Sequence, residues 1–339
     1  MPDADLEILV DAYRVEGGHT EADRELLSCA RKTYGVLERA GMPLDAATAL
    51  VRAYAKESGF KEYASDLCDA VCRSLEVALA TKTSIDDFIT VVRKLRRASG
   101  YSEWTHELCK VTCRTVEAMA NAGFSVMQTY PLFDAYAKAS TRKGTAGAHS
   151  DLICRTLETL NSTRRTAEEA ASLVAEYARV ADREEWSFDL AEAACRTLEA
   201  LGGTKYTAHD AITLINEYSR TSDRQERSTH LCEAVASTIE YMAQEGLDAE
   251  SVARRIGALR AEEMRTQEHT HVTRKKTITK NYFGPVRWAL MLREEQEFNK
   301  RAKVRHDARE LAEMLTRMVG LSEGVVEALL PDERPDTKE

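Results

Sequence analysis

The chain has 339 residues, 43% hydrophobic, 30% charged and 6% aromatic, with a formal net charge of -9. That apolar content suffices for a large buried core and excludes a wholly disordered chain. No window approaches the roughly 18 consecutive apolar residues of a membrane span, and scarce Gly and Pro amid abundant Ala, Leu, Glu and Arg favour helix.

The amino end, Met1-Pro2-Asp3-Ala4-Asp5, is acidic and lacks a basic n-region, so no signal peptide is expected. The first predicted helix is Asp3–Val15. Met1-Pro2 aligns with Met42-Pro43, and Leu9-Val10-Asp11-Ala12-Tyr13 with Leu50-Val51-Arg52-Ala53-Tyr54, a step of 41 residues. The same step of 41 runs through Tyr13, Tyr54, Leu95, Tyr136, Tyr177, Tyr218 and Leu259. It also runs through Cys72, Cys113, Cys154 and Cys195, each opening a near-identical pentad such as Cys154-Arg155-Thr156-Leu157-Glu158. A period in this range marks a stacked repeat array.

Each unit holds two helices. In the second unit, helix A is expected near Asp66–Leu79, with Leu67, Cys68, Val71, Cys72, Leu75, Ala78 and Leu79 covering about half its cylinder, so it packs on more than one side. Helix B is expected at Ile85–Ala98, with the narrower stripe Phe88, Val91, Val92 and Leu95. Ser84, Ser125, Thr166, Thr207 and Asp248 recur at 41 residues as caps of helix B, with Asp87, Glu169 and Asp210 completing capping boxes, and Pro43 in the same column. Gly18, Gly59 and Gly100 read as left-handed stops at the far end of helix B. This gives seven B helices and six A helices through residue 263, beginning on a B helix with no A helix before it. Packed at about 8–10 Å per helix, the stack should be elongated, on the order of 60 Å.

The pattern over residues 1–263 resembles the α-solenoid class, nearest in period and two-helix unit to HEAT and armadillo repeats. The Trp-Leu-Gly-Tyr pattern of tetratricopeptide repeats and the Thr-Pro-Leu-His pattern of ankyrin repeats are absent. The resemblance implies an all-α fold of about six full units plus a half unit. It also implies binding of protein or nucleic acid on an extended surface, with catalysis rare.

Cys68/Cys72 and Cys109/Cys113 stand i, i+4 on one helix face and read as small buried hydrophobes. The alternative is half of a soft metal site in a thiol or metal sensor. The columns Arg73, Arg114, Arg155, Arg196 and Glu76, Glu117, Glu158, Glu199, Glu240 read as exposed i, i+3 pairs within a helix, or else as ladders interlocking neighbouring units. The Tyr column reads as core with its hydroxyl at the rim. Tyr63, Trp104 and Trp186 share a loop column before helix A, as plugs of the seam or, if exposed, as partner hot spots. No GxSxG, Walker A, HExxH or strand-borne GxGxxG occurs, so no enzyme, cofactor, metal or small-molecule substrate is expected.

After the array, 264–287 reads as a basic extended arm, 288–330 as a helical segment with an apolar stripe that includes Trp288, Leu290, Met291 and Phe298, and 331–339 as a disordered tail. Residues 265–309 hold 12 basic against 5 acidic residues, whereas the first 263 hold 32 basic and 43 acidic. Arg274, Lys275, Lys276 and Lys280, interleaved with Tyr282, Phe283 and Trp288, are the candidate partner contacts, with RNA or DNA as the alternative ligand. His269 and His271 alone make no metal site. Leu6, Leu9, Val10 and Tyr13 on the opening B helix lack a preceding helix A. They are therefore the expected self-association surface, covered by the C-terminal helices or by a second chain. The expected function is a non-enzymatic interaction or assembly scaffold, cytoplasmic because its 8 Cys lie in helical patterns, with a protein or itself as partner and no membrane contact.

Overall fold

The computed structural model describes residues 3–18, 20–139, 144–181, 186–222, 225–273, 289–294, 296–300 and 303, the side chains of 3 and 262–273 excepted. The B helices are α1 (Asp3–Glu16), α3 (Leu44–Glu57), α5 (Ile85–Ala98), α7 (Val126–Ala139), α9 (Ala167–Val180), α11 (Ala208–Thr221) and α13 (Ala249–Thr273). The A helices alternate with them: α2 (Asp23–Ala40), α4 (Ala64–Thr81), α6 (Thr105–Asn121), α8 (Ala146–Thr163), α10 (Ser187–Leu201) and α12 (Ser228–Glu245). Among the described residues there is no strand. Each helix packs on its neighbours one and two places along the chain, so A helices form one layer and B helices the other. This is an all-α solenoid of two-helix repeats.

The B-helix starts follow from their caps. The hydroxyls of Ser84, Thr166 and Thr207 accept the amides of Asp87, Glu169 and Asp210, and the Asp248 carboxylate accepts that of Ser251 at 2.8 Å. Helix α4 extends two residues beyond the expected span at each end: the Glu21 carboxylate holds the Ala64 amide at its start, and left-handed Lys82 closes its end, with Thr83 donating to the Ala78 carbonyl at 3.0 Å.

The left-handed helix stops lie elsewhere than expected. They fall just after the A helices, at Gly41, Lys82, Gly123, Arg164 and Gly246, with φ of 62°, 56°, 76°, 56° and 71°. Gly18, Gly59 and Gly100 are glycines for a different reason. A Cβ on Gly18 would lie 2.8 Å from Cα of Lys61, and one on Gly59 2.8 Å from Cα of Ser102. The loops of successive units touch backbone to backbone there, with Gly18, Gly59 and Gly100 donating to the carbonyls of Glu62, Glu103 and Gly144 at 3.0–3.1 Å.

The Tyr column is core, but its hydroxyls are buried and not at the rim. Tyr13, Tyr54, Tyr136, Tyr177 and Tyr218 bond to Thr33, Ser74, Thr156, Thr197 and Thr238, each 20 residues on, at 2.6–2.8 Å. From Ser74 onward, each of these Ser/Thr hydroxyls donates in turn to the carbonyl four residues back, so the buried phenol has a filled partner. Burial pushes all five phenols well above the ordinary tyrosine range. Where Leu95 replaces tyrosine, the hydroxyl of Thr115 turns to Ser150 of the next A helix at 2.8 Å.

All eight cysteines are free and buried. Cys68 and Cys109 donate across the A-layer seam to the carbonyls of Cys29 and Ala70 at 3.4 Å, and Ser150 donates to Val111 at 3.3 Å. The column is therefore a line of small donors that lets successive A helices pack closely. The paired sulfurs are 4.0 Å and 3.8 Å apart. Burial raises the Cys154 and Cys195 thiols, and the hydrogen bond with Cys109 followed by burial raises Cys113.

The Arg column interlocks units. Arg114 pairs with Asp151 and Arg155 with Glu192, as Lys32 does with Asp69, each 37 residues on; only Arg196 pairs with the Glu three residues later, at 3.7 Å. These pairs are exposed, so each contributes about 0.2–1 kcal/mol.

The C-terminal residues differ most from expectation. Helix α13 runs through Thr273, so the boundary placed at 264 falls inside a helix. Residues 289–294 and 296–300 are helical and pack on α12, at the end of the stack away from α1. There Ala289 and Leu292 are buried, Arg293 donates to the Ser237 carbonyl at 2.7 Å, and Lys300 pairs with Glu245. On α1, Leu6, Leu9 and Tyr13 are buried by α2, α3 and α4 of the same chain; Val10 is half-buried on the floor of an open cleft of about 590 Å³. No helix among the described residues is long and apolar enough to cross a membrane.

Candidate interaction edge

The candidate site is built from the loops that join each B helix to the next A helix. Ser58 ends α3. Its hydroxyl donates to the Glu62 carboxylate at 2.7 Å and accepts the Phe60 amide at 3.2 Å, and Ser99 repeats this with Glu103 and the Tyr101 amide at 2.9 Å and 3.1 Å. The loop carboxylate then reaches into the next unit. Glu62 accepts the Thr105 amide at 2.7 Å, Glu103 accepts that of Ala146 at 2.8 Å, and Glu21 accepts that of Ala64. These amides open α6, α8 and α4, so each of these three A helices has its first turn satisfied by a carboxylate from the preceding unit.

That arrangement frees the N-cap position. Ser, Thr, Asp or Asn normally stands there to satisfy the helix amides. Here Tyr63 and Trp104 occupy it on α4 and α6 with extended backbone and no side-chain cap. Thr145 of α8 keeps an ordinary cap, accepting the Ala148 amide at 3.1 Å. The aromatic rings project outward. Trp104 is 45% exposed, Trp186 at the start of α10 54%, and Tyr63 and Tyr101 are also exposed. Phe60 of one loop stacks on Trp104 of the next, with ring centroids 4.1 Å apart and planes 15° apart. Further along the edge, Phe188 is exposed beneath the Arg155 guanidinium, 5.4 Å from its ring centre. The result is an aromatic edge, continuous from Phe60 to Trp104 and resuming at Trp186 and Phe188.

Trp104, Tyr63 and Trp186 fall on this edge as exposed rings. Arg274, Lys275, Lys276, Lys280, Tyr282, Phe283 and Trp288 lie outside the described residues, as do the tail 331–339 and the side chains of His269 and His271. Leu290 and Phe298 are exposed on the far side of the C-terminal helical stretch, while Met291 packs against the core. Phe60 and Tyr101 were missed although they are 41 apart, as were Glu21, Glu62 and Glu103. The same period was the signal in both cases. Among the described residues, no cluster of three or more His, Cys, Asp and Glu could hold a metal ion.

The chain matches no family model, no curated protein and no solved structure. The class to which the fold points is therefore defined by geometry alone: a helical-repeat solenoid with exposed aromatic side chains along one edge.

Proposed function

We propose that this protein is a non-enzymatic interaction scaffold, similar in plan to HEAT and armadillo arrays, that binds a protein partner along its aromatic edge. One observation carries the reading. Large rings stand in solvent at fixed repeat positions, on loops tied to their neighbours by Glu62, Glu103 and Gly59. Exposed Trp, Tyr and Phe on a preorganised surface are the groups that dominate protein interfaces. The buried reduced thiols fit a cytoplasmic setting.

A nucleic-acid adaptor acting through 265–309 is the second reading, favoured by the basic balance of that stretch. Two of its cations, Arg293 and Lys300, are already engaged by α12, which weakens it. Self-association through α1 is supported less, because Leu6, Leu9 and Tyr13 are covered within the chain.

The test is affinity capture with the Phe60→Ala/Trp104→Ala double variant and with Trp186→Ala. Partner affinity should fall by about tenfold or more, the scale of a hot-spot loss, with helical circular dichroism unchanged. Unchanged capture by both variants would remove the proposal.

A further inference from the structure

The A-layer ladder loses its acidic acceptor at one place, and three departures from the repeat fall near it. Gly35 stands where later units carry Glu76, Glu117, Glu158, Glu199 and Glu240. Arg31 stands where they carry Cys72, Cys113, Cys154 and Cys195. Lys110 stands where the ladder has its acceptor, Asp69, Asp151 or Glu192. Two acids are lost and two cations gained on one surface.

The consequences are local. Without a side chain at Gly35, an open cleft of about 440 Å³ lies between α2 and α4, with Arg31, Lys32, Arg39 and Arg73 on its walls. Lys32 is matched by Asp69 and Arg39 by Glu76 at 3.9 Å. Arg31 and Arg73 have no ion-pair partner among the described residues, and the position 37 residues after Arg73, which holds the paired carboxylate for Arg114 and Arg155, is Lys110. Nothing in the backbone requires glycine at 35. Its φ is not left-handed, and an added Cβ would meet only the end of Arg39, 3.7 Å away.

We propose that this cleft between α2 and α4 binds a carboxylate-rich segment of a partner protein. The guanidinium forks of Arg31 and Arg73 would take the carboxylates and Lys110 would extend the positive field. Asp69 and Glu76 in the same cleft, within an array whose first 263 residues hold 43 acidic against 32 basic residues, disfavour a densely charged nucleic acid. They leave room for carboxylates spaced along a peptide. The site is separate from the aromatic edge and stands without it.

The test uses the full chain and a labelled peptide of alternating glutamate and alanine, followed by fluorescence anisotropy. Saturable binding is expected that weakens as salt rises. Gly35→Glu, which restores the repeat residue, and Lys110→Asp, which restores the ladder acceptor, should each weaken binding by about tenfold, equivalent to about one ion-paired contact. Arg31→Ala/Arg73→Ala should abolish it, and Arg196→Ala, on a distant unit, should leave it unchanged. All variants should keep the wild-type circular dichroism, and if one does not, the other restoring variant decides. Absence of saturable binding, indifference to both restoring substitutions, or tighter binding of a single-stranded oligonucleotide of equal charge would each overturn the proposal.

Discussion

Replacing Glu62 with Ala should loosen the joint between the second and third units more than any exposed ion pair does. Glu62 is 3% exposed, and its Oε1 accepts both the Thr105 amide and the Ser58 hydroxyl at 2.7 Å. A hydrogen bond to a charged group contributes about 1.5–3 kcal/mol, and loss of a helix cap alone about 1 kcal/mol. Returning the carboxylate to solvent, by deleting it, removes a desolvation cost and offsets part of this. The net expected loss is about 2 kcal/mol, with Glu62→Gln, which keeps an acceptor, losing about half as much. Because an array need not unfold as one unit, the sharpest assay is native-state hydrogen exchange at the Thr105 amide. Protection there should fall by about thirtyfold for 2 kcal/mol, while the amide of Ala146, held by Glu103, changes little. Equal, small changes at both amides would refute the idea that each carboxylate fastens the unit after it.

Three further outcomes are expected. Tyr177→Phe should cost about 1 kcal/mol by denaturant unfolding, since it removes the 2.6 Å bond to Thr197 but leaves that hydroxyl donating to Ala193; no change would mean the buried phenol is not a net contributor. Gly59→Ala should destabilise by about 1–3 kcal/mol through contact with Ser102, whereas Lys82→Gly should stabilise by about 1 kcal/mol by relieving a left-handed lysine, and the opposite signs in thermal melts would contradict the reassignment of the two glycine columns. His149 is buried, neither ring nitrogen reaches hydrogen-bond geometry, and desolvation holds its pKa below the ordinary histidine value, with the Ala98 carbonyl the only opposing influence. The unfolded chain therefore binds this proton more readily, so stability should decline as pH falls from about 6.5 toward the lowered folded value. His149→Leu should flatten that part of the pH profile, and an unchanged slope would reject the assignment.

Much of the fold was legible because one period governs it. The B-helix caps, the two-helix unit and the buried Tyr and Cys columns all repeat at 41 residues, and each is a local consequence of residue type. What was not legible depends on which atoms meet across units. The left-handed column is masked by Lys82 and Arg164, which do not announce a positive φ. Gly18 and Gly59 looked like helix stops, yet their constraint is a neighbouring loop 41 residues away. The tyrosine hydroxyl and its partner lie 20 residues apart on different helices, so periodicity could bury the ring but not place its bond. The edge was half visible. Tyr63, Trp104 and Trp186 formed a column, but whether the first two rings plug a seam or face solvent turned on Glu21 and Glu62 capping α4 and α6 from the preceding unit.

Site-specific photo-crosslinking addresses the central claim most directly. A benzophenone amino acid placed in turn at positions 60, 101 and 186, and as controls at 114 and 196 on the A-layer ladder, would report what contacts each surface in the cell. Crosslinks from the three edge positions to the same protein, with none from the controls, are the predicted result. Edge positions that capture nothing, or no more than the controls do, would contradict a scaffold that binds through its aromatic edge.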